Sequence, residues 1–394
     1  MRALLAVLAL AVGLAAGGCS RVPTVATHET APSAAAVRAR FAAFAEARGA
    51  DALQVLVLSG GGQNGAFGVG VLRGWRDAGR PAFDVVTGIS TGALQATHAF
   101  LGTPADDDAL ERAYTTTTAG QIMCPKAPLA AAFGTSLADF RPLRAFLERL
   151  FDDATIDRVA EASKDARRLL LVGTTNLSTG RMTVWDLGAI AVQRKYDLYR
   201  TVLLAAASPP VLAEPVSIGG VLHADGATIG NVFVPNAETH LTGAALARFR
   251  ALARERHDRG GDGGSTFHVV YNGLLAPGTA SVSLGLLPVA TRSLGILVGS
   301  AGHGSLWYLY GLMHGRGHAF RYVGIPERMR PEADDAFAFD PVKMRALYDA
   351  GVALGRDPSA WASEPPPLEE DLAAPGPPTT APAVDTTATP SPAR

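Results

Sequence analysis

Apolar and polar positions alternate most legibly between residues 53 and 101. Residues 53–58 form a nearly unbroken apolar run, the composition of a parallel strand covered on both faces. Gly60, Gly61 and Gly62 follow at once. From residue 66 to 78 the apolar side chains of Phe67, Val71, Leu72 and Trp75 recur at near-helical spacing, which predicts a crossover helix. Residues 83–87 predict a second strand and residues 93–101 a second helix. Strand, glycine loop, helix, strand, sharp turn and helix make a βαβ unit with one helix appended.

The alternation continues downstream. Helices are expected over residues 106–117, 142–151, 196–207, 240–257, 288–314 and 341–354, and strands over 169–175, 182–186, 267–275 and 320–325. The helix over 196–207 stops at the pair Pro209-Pro210. Residues 121–135 read as a loop around Cys124. Strands alternating with helices imply an α/β fold, with a mainly parallel central sheet flanked by helices on both sides.

The ends differ in character. Met1-Arg2 and the apolar run of residues 3–16 resemble a secretory signal too short to span a bilayer. The small residues before Cys19 resemble a bacterial lipobox, with Ala16 where leucine is usual. Residues 1–19 are thus expected to be removed up to an acylated Cys19, which would anchor the protein at a membrane surface of the cell envelope. Cleavage and secretion without acylation is the alternative. Residues 20–50 read as a tether with a short helix at 34–48, residues 51–361 as the folded domain, and residues 362–394, rich in Pro, Thr and Ala, as a disordered tail.

Composition narrows the chemistry. A net charge of −1 argues against nucleic acid as a partner. Only two cysteines are present, so an acylated Cys19 leaves no intramolecular disulfide and no cysteine metal cluster. The nine histidines show no metal-ligand spacing, and no metal or cofactor is expected. Oligomeric state leaves no trace in the sequence.

Three short motifs carry candidate chemistry. Gly88-Ile89-Ser90-Thr91-Gly92 matches the G-x-S-x-G nucleophile elbow, and it falls between a predicted strand and a predicted helix. Gly60-x-Gly62-x-x-Gly65 precedes it by one crossover and fits either an oxyanion loop or the dinucleotide fingerprint. The fingerprint expects an acid at the far end of the next strand, whereas Asp84 stands near that strand's start. Asp225-Gly226-Ala227 follows an apolar segment and, in isolation, reads as a β-turn.

In this order and context the three motifs resemble the patatin-like phospholipase family over roughly residues 55–234. The resemblance implies a three-layer α/β fold and a calcium-independent hydrolase of lipid acyl esters, phospholipids among them. It also implies a Ser–Asp dyad: Ser90 as nucleophile, Asp225 as its base, and the N–H groups of Gly61 and Gly62 as oxyanion donors. One position departs from the family pattern. Asn64 stands where Arg or Lys is usual, which removes a cation that would favour an anionic head group. Two other functions compete with this one. An α/β-hydrolase would complete a Ser-His-Asp triad with His240, His257, His268, His303, His314 or His318. A lipid-anchored binding protein would keep the fold without turnover.

Overall fold

The computed structural model describes residues 26–30, 32–49, 51–127, 134–234, 247, 251, 264–275, 282–329 and 335–367. Residues 1–19 with Cys19, most of the tail and nearly all of the helix expected over 240–257 lie outside them. Nine strands form one sheet: β1 (Ala26–Thr27), β2 (Gln54–Leu58), β3 (Val85–Ile89), β4 (Leu169–Asn176), β5 (Arg181–Asp186), β6 (Val216–Ile218), β7 (Val221–Asp225), β8 (Thr266–Tyr271) and β9 (Ala319–Gly324). Their order is β1-β6-β7-β4-β3-β2-β8-β9, with β5 also paired to β4. The pairs from β4 through β3, β2 and β8 to β9 are parallel, while β5 and β7 run antiparallel to β4. The expected mainly parallel sheet flanked by helices is what the chain forms.

Helices lie on both sides: α1 (Ala34–Arg48), α2 (Gly65–Asp77), α3 (Thr91–Leu101), α4 (Pro104–Thr115), α5 (Ala119–Ile122), α6 (Arg141–Leu150), α7 (Asp153–Ser163), α8 (Leu187–Val192), α9 (Tyr196–Ala206), α10 (Leu286–His314) and α11 (Pro341–Arg356). Strand pleating sorts the core into two layers. Leu56 and Leu58 of β2 join Phe67, Phe100, Leu203 and Met344 on the face covered by α2, α3, α9 and α11. Val55 and Val57 join Phe41, Phe44, Leu306 and Leu309 on the face covered by α1 and α10. Helix α2 lies tight against α11 because glycines meet backbone there. A Cβ on Gly70 would fall 2.0 Å from the Tyr348 carbonyl oxygen, and one on Gly351 would fall 2.1 Å from that of Phe67.

Several expectations shift. The strand expected over 83–87 runs from Val85 to Ile89, two residues later. Helices α7 and α8 were not anticipated; each starts at an aspartate whose side chain accepts a backbone N–H, Asp152 from Thr155 and Asp186 from Ala189. Residues 20–50 are more than a tether where they are described. Ala26–Thr27 pairs with β6, Phe41 and Phe44 are buried, and Arg40 bonds Asp186 at 2.9 Å. At the other end, Ala362 exchanges two backbone hydrogen bonds with Tyr322, so the tail begins docked on the edge of β9. No described helix is long and apolar enough to cross a membrane.

Candidate active site

Strands β2 and β3 pair from Val55↔Val85 to Leu58↔Gly88, so the turns at their C-terminal ends are neighbours. After β3 the chain reverses into α3 through a single residue, Ser90. Its φ of 53° and ψ of −124° lie outside the regions an L-residue ordinarily occupies, a strain on the order of 1–3 kcal/mol. The flanking glycines make the turn possible. A Cβ on Gly88 would fall 2.4 Å from the Gly92 carbonyl oxygen, and one on Gly92 would fall 2.3 Å from that of Leu58. Tyr114 pins the start of the helix: its hydroxyl lies 2.6 Å from Thr91 Oγ1 and donates to the Thr91 carbonyl at 3.0 Å. Burial pushes this phenol up to about 12, which keeps it a neutral donor.

Asp225 arrives by strand register. The edge of β4 opposite β5 is shared by two strands, β3 ending at Ile89↔Gly173 and β7 ending at Asp225↔Thr174. They run toward each other along that edge, so their C-terminal ends meet and bring Ser90 to Asp225. Gly226 fits this junction because a Cβ there would fall 2.6 Å from the Gly173 carbonyl oxygen and 2.8 Å from Ile89 Cδ1. Burial pushes the Asp225 carboxyl up to about 6, while hydrogen bonds from the Ala227 N–H, at 2.8 Å, and the Ser90 hydroxyl oppose the rise. Among the described residues no histidine acts on it.

The glycine loop sits beside the serine, since a Cβ on Gly60 would fall 2.9 Å from Ser90 Cβ. Gly60 N–H donates to Asn231 Oδ1 at 2.8 Å, and the Gly61 carbonyl accepts from Asn64 N–H. Among the described residues these bonds leave the Gly61 and Gly62 N–H groups uncommitted. Gly62 has φ +59°, and a Cβ on it would fall 2.1 Å from the Ala336 carbonyl oxygen. Gly65 closes the loop against α3, where Gln95 Nε2 donates to its carbonyl at 2.9 Å. Asn64 is 2% exposed, and its buried Oδ1 has no hydrogen-bond partner among the described residues. It faces the interior rather than the cleft.

From Ser90 and Gly62 a cleft, part of it open to solvent, runs between α3, α4, α6 and α11. Apart from Gly62, Ser90, Thr91 and Thr117 its lining is apolar or aromatic, including Leu94, Tyr114, Phe140, Phe146, Phe337 and Met344. Such a wall suits an acyl chain with its carbonyl at the serine.

Among the described residues the other expected chemistries find no place here. Asp84 stands at the opposite end of the sheet from the glycine loop, bonded to Gln54 N–H at 2.8 Å and to Arg48 at 3.0 Å, so the dinucleotide pattern lacks its acid. His268 bonds Gln54 Oε1 at 2.9 Å and packs on Trp75, and His314 stacks on Tyr310. His303 neighbours Trp307, and His318 neighbours Phe267. His240 and His257 lie outside the described residues. Cys124 is exposed and free, and no group of three or more His, Cys, Asp or Glu among the described residues is arranged to hold a metal ion. Asn231, Asn272, Tyr114 and Gln95, which hold the two turns, went unnoticed in the sequence; each is a lone polar residue whose partner is distant in the chain.

Residues 56–237 match the family model for patatin-like phospholipase. Among solved structures the chain is similar to VipD from Legionella pneumophila, at 11% identity over 76% of this chain and 67% of that one, with a TM-score of 0.38. No curated protein matches the sequence. The glycine loop, the serine elbow and the Asp-Gly-Ala turn all lie inside the span, residues 56–237, over which the chain is similar to patatin-like phospholipases.

Proposed function

We propose that the protein is a serine hydrolase of lipid acyl esters that works through Ser90 and Asp225. The observation that carries this is the meeting of two strand ends, which puts a serine in a strained elbow beside the buried Asp225 carboxyl, raised to about 6. An ester acyl chain lies in the apolar cleft with its carbonyl at Ser90. Ser90 Oγ attacks the carbonyl carbon as Asp225 takes its proton, and the oxyanion accepts from the Gly61 and Gly62 N–H groups. Collapse breaks the bond to the alcohol, which leaves with the proton from Asp225. Water, giving its proton to the same carboxylate, then attacks the acyl-Ser90 ester, and Asp225 returns that proton to Ser90 Oγ as the carboxylic acid leaves. A base near 6 suits this work better than an ordinary carboxylate, because it holds the transferred proton more firmly.

Acylation at Cys19 and attachment to a membrane of the cell envelope belong to the same proposal, since an anchor would keep the cleft close to lipid. Incorporation of labelled palmitate that Cys19→Ala abolishes is the check. Hydrolysis itself is tested with a fluorophosphonate probe and medium-chain esters. Expected are labelling and turnover that vanish in Ser90→Ala, survive a chelator, and increase with pH through about 6. Turnover retained in Ser90→Ala would overturn the proposal, as would a folded wild type that neither labels nor hydrolyses esters.

A further inference from the structure

Asn231 lies six residues beyond Asp225 and does not line the cleft, yet the fold builds a socket around it. Its Oδ1 accepts the Gly60 N–H at 2.8 Å, and its Nδ2 reaches the Gly60 carbonyl and the Tyr271 hydroxyl, each at 3.4 Å. Its own backbone N–H donates to Ser305 Oγ at 3.1 Å, and that hydroxyl donates to the Gly302 carbonyl at 2.8 Å. Three glycines from distant segments leave room for this one side chain. A Cβ on Gly60 would fall 2.5 Å from Oδ1, one on Gly273 2.7 Å from Nδ2, and one on Gly302 3.1 Å from Asn231 Cβ. Asn231 is 7% exposed, so the amide works without competition from bulk water.

The side chain therefore pairs with both the N–H and the carbonyl of one glycine. Three consecutive glycines have wide torsional freedom, and the loop needs something to select one conformation. Gripping Gly60 at both ends sets the direction in which the next two peptides leave, and those peptides carry the Gly61 and Gly62 N–H groups. Asn272 supports the same loop from the other side: Nδ2 donates to the Ser59 carbonyl at 2.9 Å, and its N–H donates to Ser59 Oγ at 2.7 Å. Asn231 alone is joined by a short stretch of chain to Asp225. Resting on the assignment of Gly61 and Gly62 as oxyanion donors, we infer that Asn231 is a positioning residue, which holds the glycine loop in register with the Ser90–Asp225 pair.

The test uses the full-length protein and p-nitrophenyl esters of medium-chain acids. Asn231→Ala is expected to lower kcat about 100-fold with KM within about twofold, the loss typical of misplaced catalytic groups. Gly273→Ala leaves every site side chain in place but presses on Asn231 Nδ2, and is expected to lower kcat about tenfold. It also stands in if Asn231→Ala fails to fold. An acyl trifluoromethyl ketone, which forms a tetrahedral adduct with the serine, should lose affinity in step with kcat/KM. Decanoic acid, which fills only the cleft, should bind unchanged. Wild-type kcat in both variants would overturn the inference, and so would ketone and fatty acid weakening together. Turnover that depends on Ser90 but ignores Asn231 would remove this inference alone; turnover indifferent to Ser90 would remove the assignment beneath it.

Discussion

Two glycine turns stand side by side at the ends of β2 and β3, and they are held in different ways. The elbow is close to self-contained: Gly88 is constrained by Gly92 four residues on, and Gly92 by the backbone of the neighbouring strand, Leu58 and Ser59. The oxyanion loop is held from afar. Gly60 is constrained by Asn231, Gly61 by the Asn272 carbonyl and Gly62 by the Ala336 carbonyl, partners 171 to 274 residues downstream. A turn enforced by packed strand and helix backbone should fail as part of the fold. One enforced by distant side chains and a crossing strap should fail in function first.

The most damaging way to break the contrast is Gly92→Ala. The added methyl would sit against the backbone of β2, which cannot withdraw without opening the sheet, at a cost of about 3 kcal/mol or more. Thermal unfolding should show a collapse in Tm or no soluble protein. A variant with wild-type Tm would show the elbow to be looser than its packing implies.

Asp225→Asn should separate chemistry from stability. Turnover is lost with the base. Stability moves the other way, because the raised folded value means that the folded state binds the proton more tightly than the unfolded chain. The ionised carboxylate therefore costs stability as pH rises from about 4, and fully above about 6, by about 2–3 kcal/mol. Asparagine carries no charge and still accepts from the Ala227 N–H. The variant should accordingly melt higher than wild type at pH 8 and level with it near pH 4. Melting curves across that range check this, and a lower Tm at pH 8 would contradict it.

Gly62→Ala tests the other turn. Its methyl would meet the Ala336 carbonyl at 2.1 Å in a residue at φ +59°, which costs about 1–2 kcal/mol in backbone strain alone. The obstacle here is a crossing segment outside the sheet, whose shift would not open a strand pair. Turnover should fall about 100-fold while Tm drops less than in Gly92→Ala. Equal losses of stability in the two variants would erase the distinction between the turns.

That distinction also governs what could be seen in the sequence. The elbow and the βαβ unit were legible because periodicity and a pentapeptide are local, and the strands over 169–175 and 182–186 were legible for the same reason. Asp225 is legible only through the order of the three motifs that the family resemblance rests on, since its meeting with Ser90 depends on two strands sharing one edge of β4, and register is not written in any window of residues. Asn231 left no local sign at all: the glycines that house it are Gly60, Gly273 and Gly302. In the segment before β2, the alanine-rich composition of residues 34–48 hides two phenylalanines, Phe41 and Phe44, that are buried in the core.

The smallest expected effect lies at the strap itself. Gln63 Oε1 accepts the Asp340 N–H at 2.8 Å, tying residues 335–340 across the glycine loop just where Ala336 crowds Gly62. Gln63→Ala gives up that tie while leaving the glycines and Asn231 as they are. A buried donor losing its partner costs about 1–3 kcal/mol, but Asp340 is at a partly exposed helix start where water can replace the lost acceptor, so the effect should sit at the low end. Turnover should fall only a few-fold, and it should fall more for long acyl esters than for short ones, because Phe337 and Phe339 of the strap line the cleft. A chain-length profile for the variant measures this directly. A uniform loss across all esters would mean that the strap serves the oxyanion loop alone and takes no part in holding the acyl chain.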